Sequence, residues 1–161
     1  MLSVLVGPFW PFMFVRAKVC RLPILGVIYR LFRAIPFIRN DDPNYTTEQR
    51  EAINQENLAR GVQLLRQGRW ISVFPEGSSS SDLNLRPLRP GVAHVALKAE
   101  DASGWKLGLH IFAYGTNYEN SAAARSNVFV RWATPIYVGK YRALYEKNAK
   151  EAQEQLIADI D

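Results

Sequence analysis

The run Trp70 to Phe74, WISVF, is bounded by Gly68, which stops the helical pattern upstream, and by Pro75-Glu76-Gly77, which turns the chain downstream. A continuous apolar strand of this kind is buried on both faces, the pattern of a parallel sheet covered by helices. Its neighbours agree. Upstream, Thr46-x-x-Gln49 has the form of a capping box and opens a helix expected to turn Ile53, Leu58, Val62 and Leu65 inward. Downstream, Gly91 to Glu100 reads as a helix, Leu107 to Tyr114 and Asn127 to Trp132 as two strands, and Tyr141 to Ile160 as a charged, amphipathic closing helix. Ile35 to Ile38 reads as a further short strand, ended by the polar turn RNDDPN. Strands alternating with helices predict an α/β fold, a mixed, largely parallel sheet flanked by helices, with ligands at the carboxyl ends of its strands.

A chain of 161 residues fits a single domain, here 1–161. Its charge divides it. The formal charge is +5, yet residues 1–40 carry Arg16, Lys18, Arg21, Arg30, Arg33 and Arg39 with no acid, so this lobe alone is +6. Basic residues interleaved with Phe9, Trp10, Phe12, Phe14 and Phe32 suit an anionic lipid surface, and no nucleic-acid-binding motif accompanies them. Residues 1–40 are therefore read as a basic, apolar, membrane-facing lobe, and 41–161 as the sheet core. The opening MLSVLVGPFWPFMFV is interrupted by Gly7, Pro8 and Pro11 and falls short of the roughly 20 residues a membrane span needs. It lacks signal-peptide features and is read as core or interfacial. Within Leu22 to Ile38 the first half reads as a helix that is apolar all round except for Arg30 and Arg33, hence buried or half sunk in lipid. Cys20 is the single cysteine, so no internal disulfide framework forms, a reducing compartment is expected, and no zinc-like spacing implies a metal.

The segment after the apolar strand is the chemically telling one. PEGSSSSDLNLRPLRPG joins strand to helix with four serines and two arginine-proline steps, a composition that costs conformational entropy to order and offers little apolar area in return. Gly77 permits a tight turn and close backbone approach to a ligand. The amides and hydroxyls of Ser78 to Ser81 can form a concave donor array for phosphate oxygens. Arg39 offers a planar, permanently charged fork, although it can equally pair with Asp41 or Asp42. A serine hydrolase is disfavoured, because EGSSSSD lacks the second glycine of a nucleophile elbow.

VFPEGSSS followed by LRPG resembles the third sequence block of the glycerol-phosphate and lysophosphatidic acid acyltransferase family, usually written Phe-Pro-Glu-Gly-Thr-Arg-Ser. AIPFIRND resembles the second block, preceded by the similar AKVCRLPILG, and YGTNYEN with RSNVFVRWATPI resembles the fourth block and the strand after it. The similarity runs in order over about residues 14–160. It implies an enzyme of glycerophospholipid synthesis that moves an acyl group from acyl-CoA or acyl-carrier protein to a lysophospholipid or glycerol-phosphate acceptor, without metal or redox cofactor. It implies a substrate-binding set of Lys18, Arg39, Glu76, Gly77, Ser78, Ser79 and Ser80 around a loop at 75–91. It also implies a peripheral or monotopic protein on the cytoplasmic face of a membrane.

The departures are equally specific. The family's first block, Asn-His-x-x-x-x-Asp, supplies the general base, and residues 1–13 contain neither His nor Asp. The chain is thus expected to be N-terminally incomplete and inactive alone, with no catalytic residue present; the alternative is a non-catalytic phosphate or lipid binder at the membrane. His94 and His110 stand where the resemblance places no catalyst. Ser79 replaces the third block's arginine, a charge that Arg86 or Arg89 is expected to restore, and Ala113 replaces the fourth block's proline.

Overall fold

The structure, a computed structural model, describes residues 12–17, 27, 34–39, 42–76, 87–120 and 125–161. It is a mixed α/β protein divided into two compact units, one within Leu5–Ser72 and the other built mainly from Val73–Asp161.

In the first unit, β1 (Phe12–Arg16), β2 (Ala34–Phe37) and β3 (Ile71–Ser72) form a parallel sheet in the order β2-β1-β3. Met13 to Arg16 pair with Ala34 to Phe37, and Phe12 and Met13 pair with Ile71 and Ser72. The central strand thus comes from the apolar opening of the chain. Ile35 is fully buried, and Phe14 meets Phe37 edge to face at 6.4 Å. The apolar run expected to extend from Trp70 to Phe74 contributes only two ladder residues, because beyond Ser72 the chain leaves the sheet for the turn at Pro75 and Glu76. Of the helix expected within residues 22–34, Val27 is described; it is helical and 56% exposed.

Helix α1 (Thr47–Arg66) begins and ends as its sequence dictates. The Thr46 hydroxyl accepts from the Gln49 amide at 3.3 Å, and the Gln49 side chain accepts from the Thr46 amide at 3.1 Å. This closed capping box satisfies two amides that the helix itself cannot. At the other end Gly68 adopts φ +71°, and the Gly68 and Arg69 amides donate back to Leu65 and Leu64, a Schellman termination that a side chain at Gly68 would strain.

The buried stripe of α1 is more polar than the periodicity suggests. Val62 is buried, but Ile53, Leu58 and Leu65 are only half-buried, while Asn57, Gly61 and Leu64 face inward. The reason is the free edge of β2. Pro36 and Ile38 direct their main-chain groups away from β1, so a helix side chain must answer them. Asn54 accepts from the Ile38 amide at 2.9 Å and donates to the Ile38 carbonyl at 2.8 Å, and Asn57 donates to the Pro36 carbonyl at 2.7 Å. Asn54 thereby behaves as a neighbouring strand, and Pro36 is tolerated because its missing N–H lies on the outer edge.

In the second unit, α2 (Gly91–Asp101) and α4 (Ala149–Ile160) pack with β4 (His110–Ile111), β7 (Ile136–Tyr137) and a short 3₁₀ turn at Val138–Tyr141. Their shared core is Ala93, Ala96, Leu97, Ala113, Ile136, Val138, Tyr141, Ala152, Leu156 and Ile160. The expected strand Leu107 to Tyr114 is two pieces: β4 pairs antiparallel with β7, while β5 (Tyr114–Tyr118) pairs antiparallel with β6 (Val128–Trp132). The expected closing helix is likewise divided. Asn148 ends α3 (Arg142–Lys147) with φ −154° and ψ 96°, and its side chain accepts from the Lys150 and Glu151 amides to cap α4.

Candidate functional site

The loop of interest is closed at its neck. The Arg89 amide donates to the Pro75 carbonyl at 2.8 Å, which brings the residues flanking the serine segment, Glu76 and Arg89, to one place. Pro75 is buried and Glu76 half-buried, whereas Arg89 is exposed. Pinning the ends in this way removes much of the closure entropy that a polar loop would otherwise lose on gripping a ligand.

The neck leads directly into α2. Pro90 is its N-cap with no side-chain cap bond, its first turn holds no acid, and the first main-chain bond returns from His94 to the Pro90 carbonyl at 2.9 Å. The start of α2 follows directly on Arg89, and a helix N-terminus is an electropositive end suited to an anion. Gly77, Ser78, Ser79, Ser80, Arg86 and Lys18 lie outside the described residues.

Arg39 belongs to the first unit, one residue beyond the Ile38 peptide that Asn54 holds at both its N–H and its C=O. It is half-buried, and its carbonyl accepts from the Asp42 amide at 3.2 Å. Asp42 is buried and accepts from the Asn44 amide and side chain, so the turn after β2 is tightly specified. The backbone that carries Arg39 is thus fixed on both sides, by a helix and by an aspartate turn. The sequence motifs single out Arg39 as a candidate and give no notice of Asn54 and Asn57, which fix the strand before it. Two asparagines inside a helix, where straight-chain residues are better formers, were the signal that could have found them.

The family model for acyltransferases matches residues 1–119. This chain belongs to the acyltransferase family. Among curated relatives, the acyltransferase chain is similar to glycerol-3-phosphate O-acyltransferase 2 of Saccharomyces cerevisiae, 31% identical over 91 residues that cover 56% of this chain and 12% of the relative. It is also similar to glycerol-3-phosphate O-acyltransferase 1 of the same yeast, 37% identical over 70 residues, covering 44% and 9%. N-acylphosphatidylethanolamine synthase of Arabidopsis thaliana is 31% identical over 80 residues, covering 49% and 25%. The chain therefore spans between 9% and 25% of the length of these relatives. No solved structure gives a significant match.

The two histidines of the acyltransferase chain differ in their surroundings. His94, in the first turn of α2, is half-buried, and burial followed by the nearby Lys98 charge lowers its pKa below the usual histidine value. It is neutral at physiological pH. His110 is exposed on β4, its ring 5.2 Å from that of Tyr137 and tilted 36° to it, and its Nδ1 lies 2.9 Å from the Gly108 carbonyl. A carbonyl only accepts, so in the neutral ring Nδ1 carries the proton and Nε2 is the acceptor. Among the described residues no group of His, Cys, Asp and Glu is arranged to hold a metal ion.

Proposed function

We propose that this chain is the acceptor-binding part of an acyltransferase of glycerophospholipid synthesis, acting on a glycerol phosphate or its lyso-derivative. The observation that carries the reading is the closed neck, which delivers Glu76 and Arg89 together at the uncapped start of α2. Family membership and the activities for which the two yeast relatives are named support it.

In this reading the phosphate is held by the serine segment, the start of α2 and Arg89, with Glu76 ordering the loop or accepting from the glycerol hydroxyls. The transfer forms an ester bond between the acceptor oxygen and the acyl carbon of an acyl-CoA or acyl-carrier-protein thioester. The carbon–sulfur bond breaks, and the hydroxyl proton passes through a base to the departing thiolate, which leaves as the free thiol. General base help is worth about 10²- to 10⁴-fold. These 161 residues contain no Asn-His-x-x-x-x-Asp, and we propose that by themselves they bind the acceptor but transfer slowly. The +6 charge of residues 1–40 supports a place on the cytoplasmic face of an anionic membrane. Among the described residues no helix is long and apolar enough to cross one.

Isothermal titration of glycerol 3-phosphate, with glycerol as control, tests the acceptor site in the absence of lipid. Arg89→Glu is expected to weaken glycerol 3-phosphate binding about tenfold or more, the weight of one charge-assisted phosphate contact. Equal affinity for glycerol, or an unchanged dissociation constant in the variant, would overturn the reading. Labelled acyl transfer on the same polypeptide separates a slow enzyme from a binder without activity.

A further inference from the structure

Most of the exposed large hydrophobic side chains among the described residues gather on the hairpin of β5 and β6. Tyr114 pairs with Trp132, Thr116 with Val130, and Tyr118 with Val128, and directly opposed residues share a face of the sheet. That face starts in the core, where Tyr114 is buried and its ring lies 4.7 Å from Trp132. It then runs outward to Tyr118, Val128, Val130 and Trp132, each 47–52% exposed. The opposite face carries Gly115, Asn117, Phe129 and Arg131, and β6 pairs with no described strand other than β5.

An apolar stripe rooted in a core and projecting into water gains free energy wherever an apolar phase covers it. Its size argues against a second copy. Two strands of five residues each span about 17 Å by 10 Å, under about 200 Å², against roughly 800 Å² per partner in a stable protein interface. A lipid interface sets no such threshold, because each side chain partitions on its own and adds to other contacts of the same molecule. The chemistry also fits. Trp132 and Tyr118 are amphipathic rings of the type that settle at headgroup depth, and the exposed Arg125, near the tip of the hairpin, supplies a cation for lipid phosphate. The hairpin's one acid, Glu119, already accepts from the Asn127 side chain at 2.7 Å.

We infer that the face of the β5–β6 hairpin bearing Tyr118, Val128, Val130 and Trp132 lies in an anionic lipid interface. This deepens the membrane part of the proposed function and adds a contact surface remote in sequence from residues 1–40. The test is partition of the full chain onto vesicles of phosphatidylcholine with and without phosphatidylglycerol. The double substitution Val128→Asp and Val130→Asp is expected to weaken partition at least about tenfold, since the burial of even one valine carries that factor. A nitroxide at Val130→Cys, with Cys20→Ser, is expected to gain oxygen accessibility and lose nickel-chelate accessibility on vesicles containing phosphatidylglycerol, which keeps the test decisive should the aspartate variant misfold. A label that stays wet on vesicle-bound protein, or a folded aspartate variant that partitions like the parent, would overturn the inference. So would a concentration-dependent dimer that the aspartate variant abolishes, which would assign the face to a second copy. Because glycerol 3-phosphate titration is run without lipid, failure here leaves the acceptor site standing, and failure there leaves the hairpin standing.

Discussion

Glu100 shows how much one buried side chain can organise. It is 1% exposed at the end of α2, and its carboxylate accepts from the Leu107 amide at 3.2 Å and the Leu109 amide at 2.6 Å. Its own carbonyl accepts from Ser103 and Trp105. Trp105 is thereby held at φ 60°, a conformation costly for a bulky residue, with its ring edge-on to Tyr145 at 5.6 Å. Glu100→Ala would strand two amides and open a cavity, and we expect a loss of about 3 kcal/mol in urea unfolding, with Glu100→Gln costing less because one acceptor remains. The sequence offers this residue as an ordinary helical glutamate at the end of an apolar helix. Nothing local distinguishes it from a solvated one, since its partners are main-chain amides whose positions exist only once the turn has formed. Arg39 and Glu76, by contrast, stood out from the motifs around them.

At the scale of elements, legibility followed how local the determinants are. The start and stop of α1 are written in Thr46, Gln49 and Gly68, and the structure forms both as read. Helix α2 was found to within one residue for the same reason. Strands fared worse, because strand length is set by what lies alongside. β3 ends where the chain leaves β1 for the turn at Pro75 and Glu76, and YGTNY, read as part of a motif, forms a strand against VFVRW. The closing helix broke where Asn148 prefers capping to continuing. The most consequential hidden element contact is Asn54 on the edge of β2. Asn54→Ala removes both bonds to Ile38, and we expect about 2 kcal/mol of destabilisation with faster amide exchange at Ile38. Asn57→Ala, losing one bond to Pro36, is expected to cost about half as much. Equal exchange protection at Ile38 in parent and Asn54→Ala would refute the strand-mimic role.

For the molecule as a whole, His94 and Asp159 both make stability fall on acidification, in different pH ranges. His94 is half-buried, and burial followed by the Lys98 charge resists its protonation in the folded state, so stability declines as the pH drops below the ordinary histidine value of 6.5. Asp159 is held down to about 2 by hydrogen bonds from Lys140 first, then Tyr141 and Gln155, so its contribution is present above 3.8 and is lost as the pH falls toward 2. Thermal unfolding followed across both ranges is expected to lose the first of these declines in His94→Gln and the second in Asp159→Asn. The single bond between Pro75 and Arg89 matters on a longer timescale. With both flanks fastened to one folded unit, substitutions in the sequence between them need not reopen the hydrophobic interior, so evolution can vary that stretch independently of the core.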